Sequence, residues 1–385
     1  MMGPRFALHS HCWRTTRMDI KLTSRVTQFL ALLCILNMIL AGCSSSPSPV
    51  ERSQDLSATS ATSTYWPTEA WRTSPPEEQG MDSHKLAQML IAIQQQHLNL
   101  HSLLVIRNGY LVSETYFGPY QQDTRHELYS CTKSFISTLI GIAVDKAYID
   151  RTDHRIVDFF SERTFANLDR QKADMTLEDV LTMRSGLDWQ EGDPIYRAMY
   201  QSPDWVKFVL DKPMALPPGS RFNYCSGCSH LLSAIVQQTT GMKTRDFASQ
   251  YLFKLLGITN VDWETDATGI PIGGWGLQLT PRDMAKLGYL YLQDGQWDGQ
   301  QIVSAKWVEN ATQRHTETDS DLGYGYQWWT YPSLAAYASL GRDGQMIFVI
   351  PGSDLVIVTT AEMDGHEQIF QLIAQYIVPA VQQSQ

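Results

Sequence analysis

Hydrophobic and polar positions recur with two periods along this chain. Over residues 82–98, Leu86, Leu90, Ile93 and His97/Leu98 fall at helical spacing, with Asp82 or Ser83 placed to cap the start. The run that follows, SLLVIRNGYLVSETYFG, sets Asn108-Gly109 between two β-rich segments, which predicts a two-residue hairpin. Near the other end, residues 346–351 and 355–360 flank Gly352-Ser353-Asp354 and predict a second hairpin, with a helix over 367–378. Between the hairpins the pattern turns helical, over residues 132–147, 176–183, 204–210, 229–240 (closed by Gly241) and 282–292. No period of 20–50 residues repeats, which excludes solenoids and propellers. The pattern predicts an α+β fold in which the terminal hairpins join in one antiparallel sheet flanked by helices. A mostly helical lobe, roughly residues 148–320, is inserted between them, and the cleft between lobes is the expected site.

One apolar run fits neither period. Residues 29–41, FLALLCILNMILA, are apolar apart from Asn37. A spanning helix needs about 20 such residues, whereas a signal-peptide core needs roughly 7–15. Lys21 and Arg25 supply its positive flank, and it ends in Leu40-Ala41-Gly42-Cys43. That ending resembles a bacterial lipobox. The resemblance implies a lipoprotein signal peptide over 1–42 and lipidation of Cys43, which becomes the membrane anchor. Ser44 in the next position resembles outer-membrane sorting, so the expected place is the bacterial cell envelope, anchored in the outer membrane and facing the periplasm. Translation from Met18 instead of Met1 is a second reading of the start. Residues 43–64, CSSSPSPVERSQDLSATSATST, cannot build a core and are expected to be a flexible tether. One globular domain is expected over 65–385.

Charge sharpens this division. The 385 residues carry 30 Lys+Arg against 40 Asp+Glu, a net −10. Residues 1–42 hold Arg5, Arg14, Arg17, Lys21 and Arg25 against Asp19, a surplus of four, so the remainder stands at −14. An acidic body argues against nucleic acid as a partner, because phosphate binding needs a basic face.

The residues able to do chemistry sit at the start of predicted helices. Ser130-Cys131-Thr132-Lys133 opens the apolar helix FISTLIGIAV, so Ser130 and Lys133 share a helix face. A Lys partly desolvated there loses proton affinity and can help activate a Ser nucleophile. Pro217-Pro218-Gly219 turns the chain into Arg221-Phe222-Asn223-Tyr224-Cys225-Ser226, and a phenolate at Tyr224 would become more accessible beside a Lys ammonium.

Together these two elements resemble the serine β-lactamase and penicillin-binding protein superfamily, marked by Ser-x-x-Lys, Tyr-x-Asn or Tyr-x-Ser, and a Lys-Thr-Gly-like strand. The stretches TLEDVLTMRSGLDW (176–189), GGWGLQLTPRDMAKLGYLY (273–291) and DLGYGYQWW (321–329) resemble its β-lactamase-related branch of class C-like enzymes, esterases and 6-aminohexanoate-oligomer hydrolases. The likeness runs from about Trp71 to Val378. It implies a β-lactamase/transpeptidase-like fold, Ser130 as nucleophile, Lys133 and Tyr224 in proton transfer, and Ser226 hydrogen-bonded to that pair. At the third motif the chain departs from the superfamily: Ser339-Leu340-Gly341-Arg342-Asp343-Gly344-Gln345 has no Lys. By resemblance to the oligomer hydrolases, the Arg342 N–H beside Gly341 joins that of Ser130 in an oxyanion hole. The missing cation removes a charge-assisted hydrogen bond to a substrate carboxylate. This favours ester or amide hydrolysis through an acyl-enzyme, with no metal or organic cofactor. The alternatives are a β-lactamase or D,D-carboxypeptidase acting on a lactam or peptide, and an inert sensor or wall-binding protein.

Cys131, Cys225 and Cys228 lie close to these motifs and leave three readings open. They are buried free thiols, or one disulfide (Cys131–Cys225 or Cys225–Cys228), or Cys225 and Cys228 hold zinc with His230, a set that lacks an evident fourth ligand. Tyr324, Tyr326, Trp328 and Trp329 are candidates for an apolar pocket wall or for core.

Overall fold

A computed structural model of the chain describes residues 65–318 and 322–382. The expected signal, the anchor at Cys43 and the tether lie outside the described residues.

Local sequence rules account for the two hairpins. Strands β1 (Leu100–Arg107) and β2 (Tyr110–Tyr116) are joined through Asn108 and Gly109, whose φ angles of 51° and 78° are both positive, as a tight twisted hairpin turn requires. Six further strands complete the sheet. They are β3 (Thr316–Glu317), β4 (Gly323–Tyr324), β5 (Trp329–Tyr331), β6 (Ala336–Leu340), β7 (Met346–Ile350) and β8 (Leu355–Ala361). The order is β2-β1-β8-β7-β6-β5-β4-β3. Antiparallel pairing of β1 with β8, from Leu100↔Ala361 to Arg107↔Leu355, unites the two hairpins as expected.

The central strands are apolar on both faces. Leu104, Ile106, Ile347, Val349, Val356 and Val358 join one core, while Leu103, Val105, Phe348, Ile350 and Ile357 join another. Helix α1 (Ser83–Gln95), capped by the Asp82 side chain, closes the second core together with the C-terminal helical segment. On the opposite face lie α2 (Thr132–Asp145), α3 (Leu177–Leu181), α4 (Trp205–Leu210), α5 (Ser226–Thr240) and α6 (Pro281–Leu292). Although α6 belongs in sequence to the inserted stretch, it packs on the sheet. A Cβ at Gly288 would lie 2.6 Å from Val356 Cγ1 and 2.8 Å from Ile347 Cγ2, so glycine permits this approach.

α2 is buried from Thr132 to Ala143 and packs against α5. A helix buried on every side sits in the middle of a core, and its polar members Ser134 and Thr138 donate to the Gln327 and Ser134 carbonyls at 2.8 Å. α5 begins three residues before its expected start at 229. Cys225 is extended (φ −138°) and its sulfur accepts the Cys228 N–H, so the cap falls next to Tyr224.

Candidate active site

The chain approaches α2 through a 3-10 turn, Tyr129–Cys131, with Tyr129 in the left-handed region at φ 46°. Such backbone is costly for a non-glycine residue. The turn leaves Ser130 partly exposed, while Lys133, one turn on, is only 1% exposed. Lys133 Nζ lies 2.9 Å from Ser130 Oγ and donates to Ser226 Oγ (3.0 Å) and to the Gly274 carbonyl (2.8 Å). Burial lowers its pKa to about 8, against the opposing pull of Glu191 and Cys131. A buried Lys held near neutral pH by desolvation is suited to act as a base.

Tyr224 stands where the end of the Pro/Gly turn meets α5. Lys133 Nζ is 4.8 Å from its ring centroid, and its hydroxyl is near enough to Ser130 for the two to interact. The expectation of a more accessible phenolate is overturned. Burial pushes the phenol above its ordinary value, outweighing the interaction with Ser130 that favours the charged form. Lys133, not Tyr224, is the group shifted towards its basic form.

Ser226 Oγ donates to the Glu191 carboxylate, and the Ser226 N–H donates to Glu191 Oε2 at 3.1 Å. Tyr196 Oη and Trp189 Nε1 also donate to Glu191. Glu191 and the Gly274 carbonyl were not singled out in the sequence. The only pointers were their positions: Glu191 two residues past the stretch 176–189, and Gly274 at the start of 273–291.

Gly341 and Arg342 follow β6. Gly341 N–H donates to the Gln345 carbonyl (2.8 Å), and a Cβ there would lie 2.2 Å from the Leu128 carbonyl, two residues before Ser130. The Arg342 guanidinium lies 4.4 Å from the Tyr129 ring centroid and 3.4 Å from Asp343. Both residues therefore flank the turn that carries Ser130.

Cys225 and Cys228 form a disulfide. Cys131 is a buried free thiol whose sulfur lies 3.4 Å from the Ser339 carbonyl and 3.5 Å from the Gln345 carbonyl, within hydrogen-bond reach of both. Burial raises its pKa to about 12, which leaves it a poor nucleophile. The zinc reading does not hold, because the two sulfurs are bonded to each other and His230 faces the buried Asp266 at 3.1 Å. Among the aromatic candidates, Tyr324, Tyr326 and Trp328 are buried. Trp329 is partly exposed and stacks on Tyr224 with ring centroids 5.9 Å apart.

Comparison with known proteins follows the same lines. A family model described as Beta-lactamase matches residues 77–382. The 6-aminohexanoate-dimer hydrolase of Paenarthrobacter ureafaciens is 27% identical over 284 residues, covering 67% of this chain and 71% of that protein. Among solved structures, EstCE1, a hydrolase with promiscuous acyltransferase activity, aligns with a TM-score of 0.65 at 16% identity over 76% of this chain and 98% of that one. A family VIII carboxylesterase aligns with a TM-score of 0.65 at 15% identity, over 80% and 98%. At these identities the two structures testify to the fold alone.

Proposed function

The chain belongs to the Beta-lactamase family and is a serine hydrolase of that fold, and from this premise we propose that it cleaves ester or amide bonds through an acyl-enzyme on Ser130. The observation that carries this reading is the contact of a partly exposed Ser130 with a buried Lys133 whose proton affinity is reduced. Neutral Lys133 takes the Ser130 proton as Oγ attacks the carbonyl. Tyr224, beside Ser130 and with Lys133 Nζ over its ring, passes a proton to the leaving group. The backbone N–H groups of Ser130 and Arg342 hold the oxyanion, a contribution of about 3–4 kcal/mol per donor. Water, deprotonated through the same Lys133–Tyr224 pair, then releases the acyl group.

The absence of Lys between Ser339 and Gln345 favours esters and amides over lactams. Turnover of a short-chain nitrophenyl ester is expected to exceed that of a chromogenic cephalosporin. Efficient, Ser130-dependent cephalosporin hydrolysis would overturn the preference and favour a β-lactamase or D,D-carboxypeptidase. Failure of a fluorophosphonate to label Ser130 would favour an inert sensor.

We also propose that residues 1–42 direct export, that Cys43 carries the lipid and that 43–64 tether the domain at 65–385 to the envelope membrane. The 13-residue apolar run before Cys43 supports this. Detergent-phase partitioning of the full chain should disappear in Cys43→Ala, and unchanged partitioning would refute the anchor.

A further inference from the structure

The hydrolase reading uses Ser130, Lys133 and Tyr224 and leaves Glu191 without a task. Glu191 accepts hydrogen bonds from Trp189, Tyr196, Ser226 Oγ and the Ser226 N–H. Four donors converging on one carboxylate fix it in place behind Ser226, whose hydroxyl also accepts from Lys133 Nζ at 3.0 Å. The path Lys133–Ser226–Glu191 is thus continuous, and Ser226 is 1% exposed. We propose that Glu191, acting through Ser226, sets the pH at which Lys133 can deprotonate Ser130. It is a positioning residue, since it reaches the reacting atoms only through its neighbours.

The surroundings leave few competitors. The acidic groups that face Lys133 are Glu191, Cys131 and Tyr224. Cys131 is raised to about 12, so it stays a neutral thiol. Tyr224 is raised above its ordinary value, as are Tyr196 and Tyr324, the other phenols that feel Glu191. Glu191 is itself partly exposed, but a fixed negative charge beside a Lys133 that is 1% exposed favours the ammonium over the amine. Burial pulls Lys133 the other way, and the balance stands at about 8. A base works best when its proton affinity lies close to the working pH. The carboxylate keeps Lys133 basic enough to accept the Ser130 proton, and it stabilises the ammonium that this transfer creates.

This inference rests on the serine-hydrolase reading. The test is the pH profile of kcat/KM for a nitrophenyl ester with the full chain. Glu191→Gln is expected to move the acid limb to lower pH and to lower the plateau about tenfold, because the amine becomes a weaker base. Glu191→Asp, which restores the charge, should return the limb towards its wild-type position. Ser226→Ala cuts the bridge and spares the carboxylate, so it should move the limb the same way by less, and it serves if Glu191→Gln fails to fold. An unmoved or upward-moved limb in both Glu191→Gln and Ser226→Ala, even with reduced activity, would make Glu191 structural and overturn the proposal. Ser130→Ala keeps the two claims apart. If it retains turnover the hydrolase reading falls, and if it is inactive while the limb stays fixed only the role of Glu191 falls.

Discussion

The sheet and the seam between α2 and α5 are buried to the same degree and are built on opposite principles. On the central strands the interior is mostly apolar on both faces; of its buried polar side chains, Ser102 pairs with Thr360 at 2.7 Å and Thr359 donates to the Gly344 carbonyl at 2.8 Å. In the seam, Lys133, Ser226 and the Gly274 carbonyl are brought together out of water beside Glu191. Burial stabilises the first region, by about 1.5–3 kcal/mol for each large apolar side chain. In the second it costs desolvation, and that cost appears as the lowered proton affinity of Lys133. Stability and reactivity are thus allotted to separate layers of one fold.

Substitutions should separate the two layers. The largest effect is expected for Ser130→Ala, a loss of about 10⁶-fold in kcat with an unchanged melting temperature. A variant that loses activity only in proportion to lost fold would break the division. Phe348→Ala, on the sheet, should cost about 3–5 kcal/mol in denaturant unfolding while kcat per folded molecule is preserved; its ring packs edge-on against Tyr331 and Phe370 at 5.3 and 5.7 Å. Tyr224→Phe keeps the ring on Trp329 and removes the hydroxyl, so stopped-flow assays should show a fall of about 10²–10³-fold in kcat with little change in stability. Gly288→Ala should destabilise by about 1–3 kcal/mol, because the new methyl meets Val356 and Ile347. The mildest probe is pH. Lys133 must be neutral to act, so kcat/KM should rise with pH up to about 8 and level off above it. An acid limb at pH 5 would remove Lys133 from the role of base.

Much of this architecture was legible in order along the chain. Asn108-Gly109 and Gly352-Ser353-Asp354 announced their turns, because only a few residue types tolerate the backbone that tight turns impose. Ser130, Lys133 and Tyr224 were legible because two helix starts carry them. The tuning of the site was less so. Glu191 reaches Ser226 across 35 residues, and no local period encodes such a meeting. The raised proton affinity of Tyr224 was not legible, because proximity to a cation can be read from a motif, whereas desolvation depends on Trp329, Tyr324 and Phe222 closing around the ring. The cysteines could be paired only once Cys225 was seen to cap the helix that holds Cys228.

The pairing of β1 with β8 also governs the order in which the molecule can be made. Leu100 waits for Ala361, which leaves the ribosome 261 residues later. At about 5–20 residues per second, β1 spends roughly 13–50 s without its central neighbour. During that time its open edge is sheltered on one side only, by β2. Distant closure of this kind slows folding and exposes unpaired strand to other chains. The α2–α5 seam, from Ser130 to Gly274, is synthesised before the turn at Arg342 and the closing strands of the sheet.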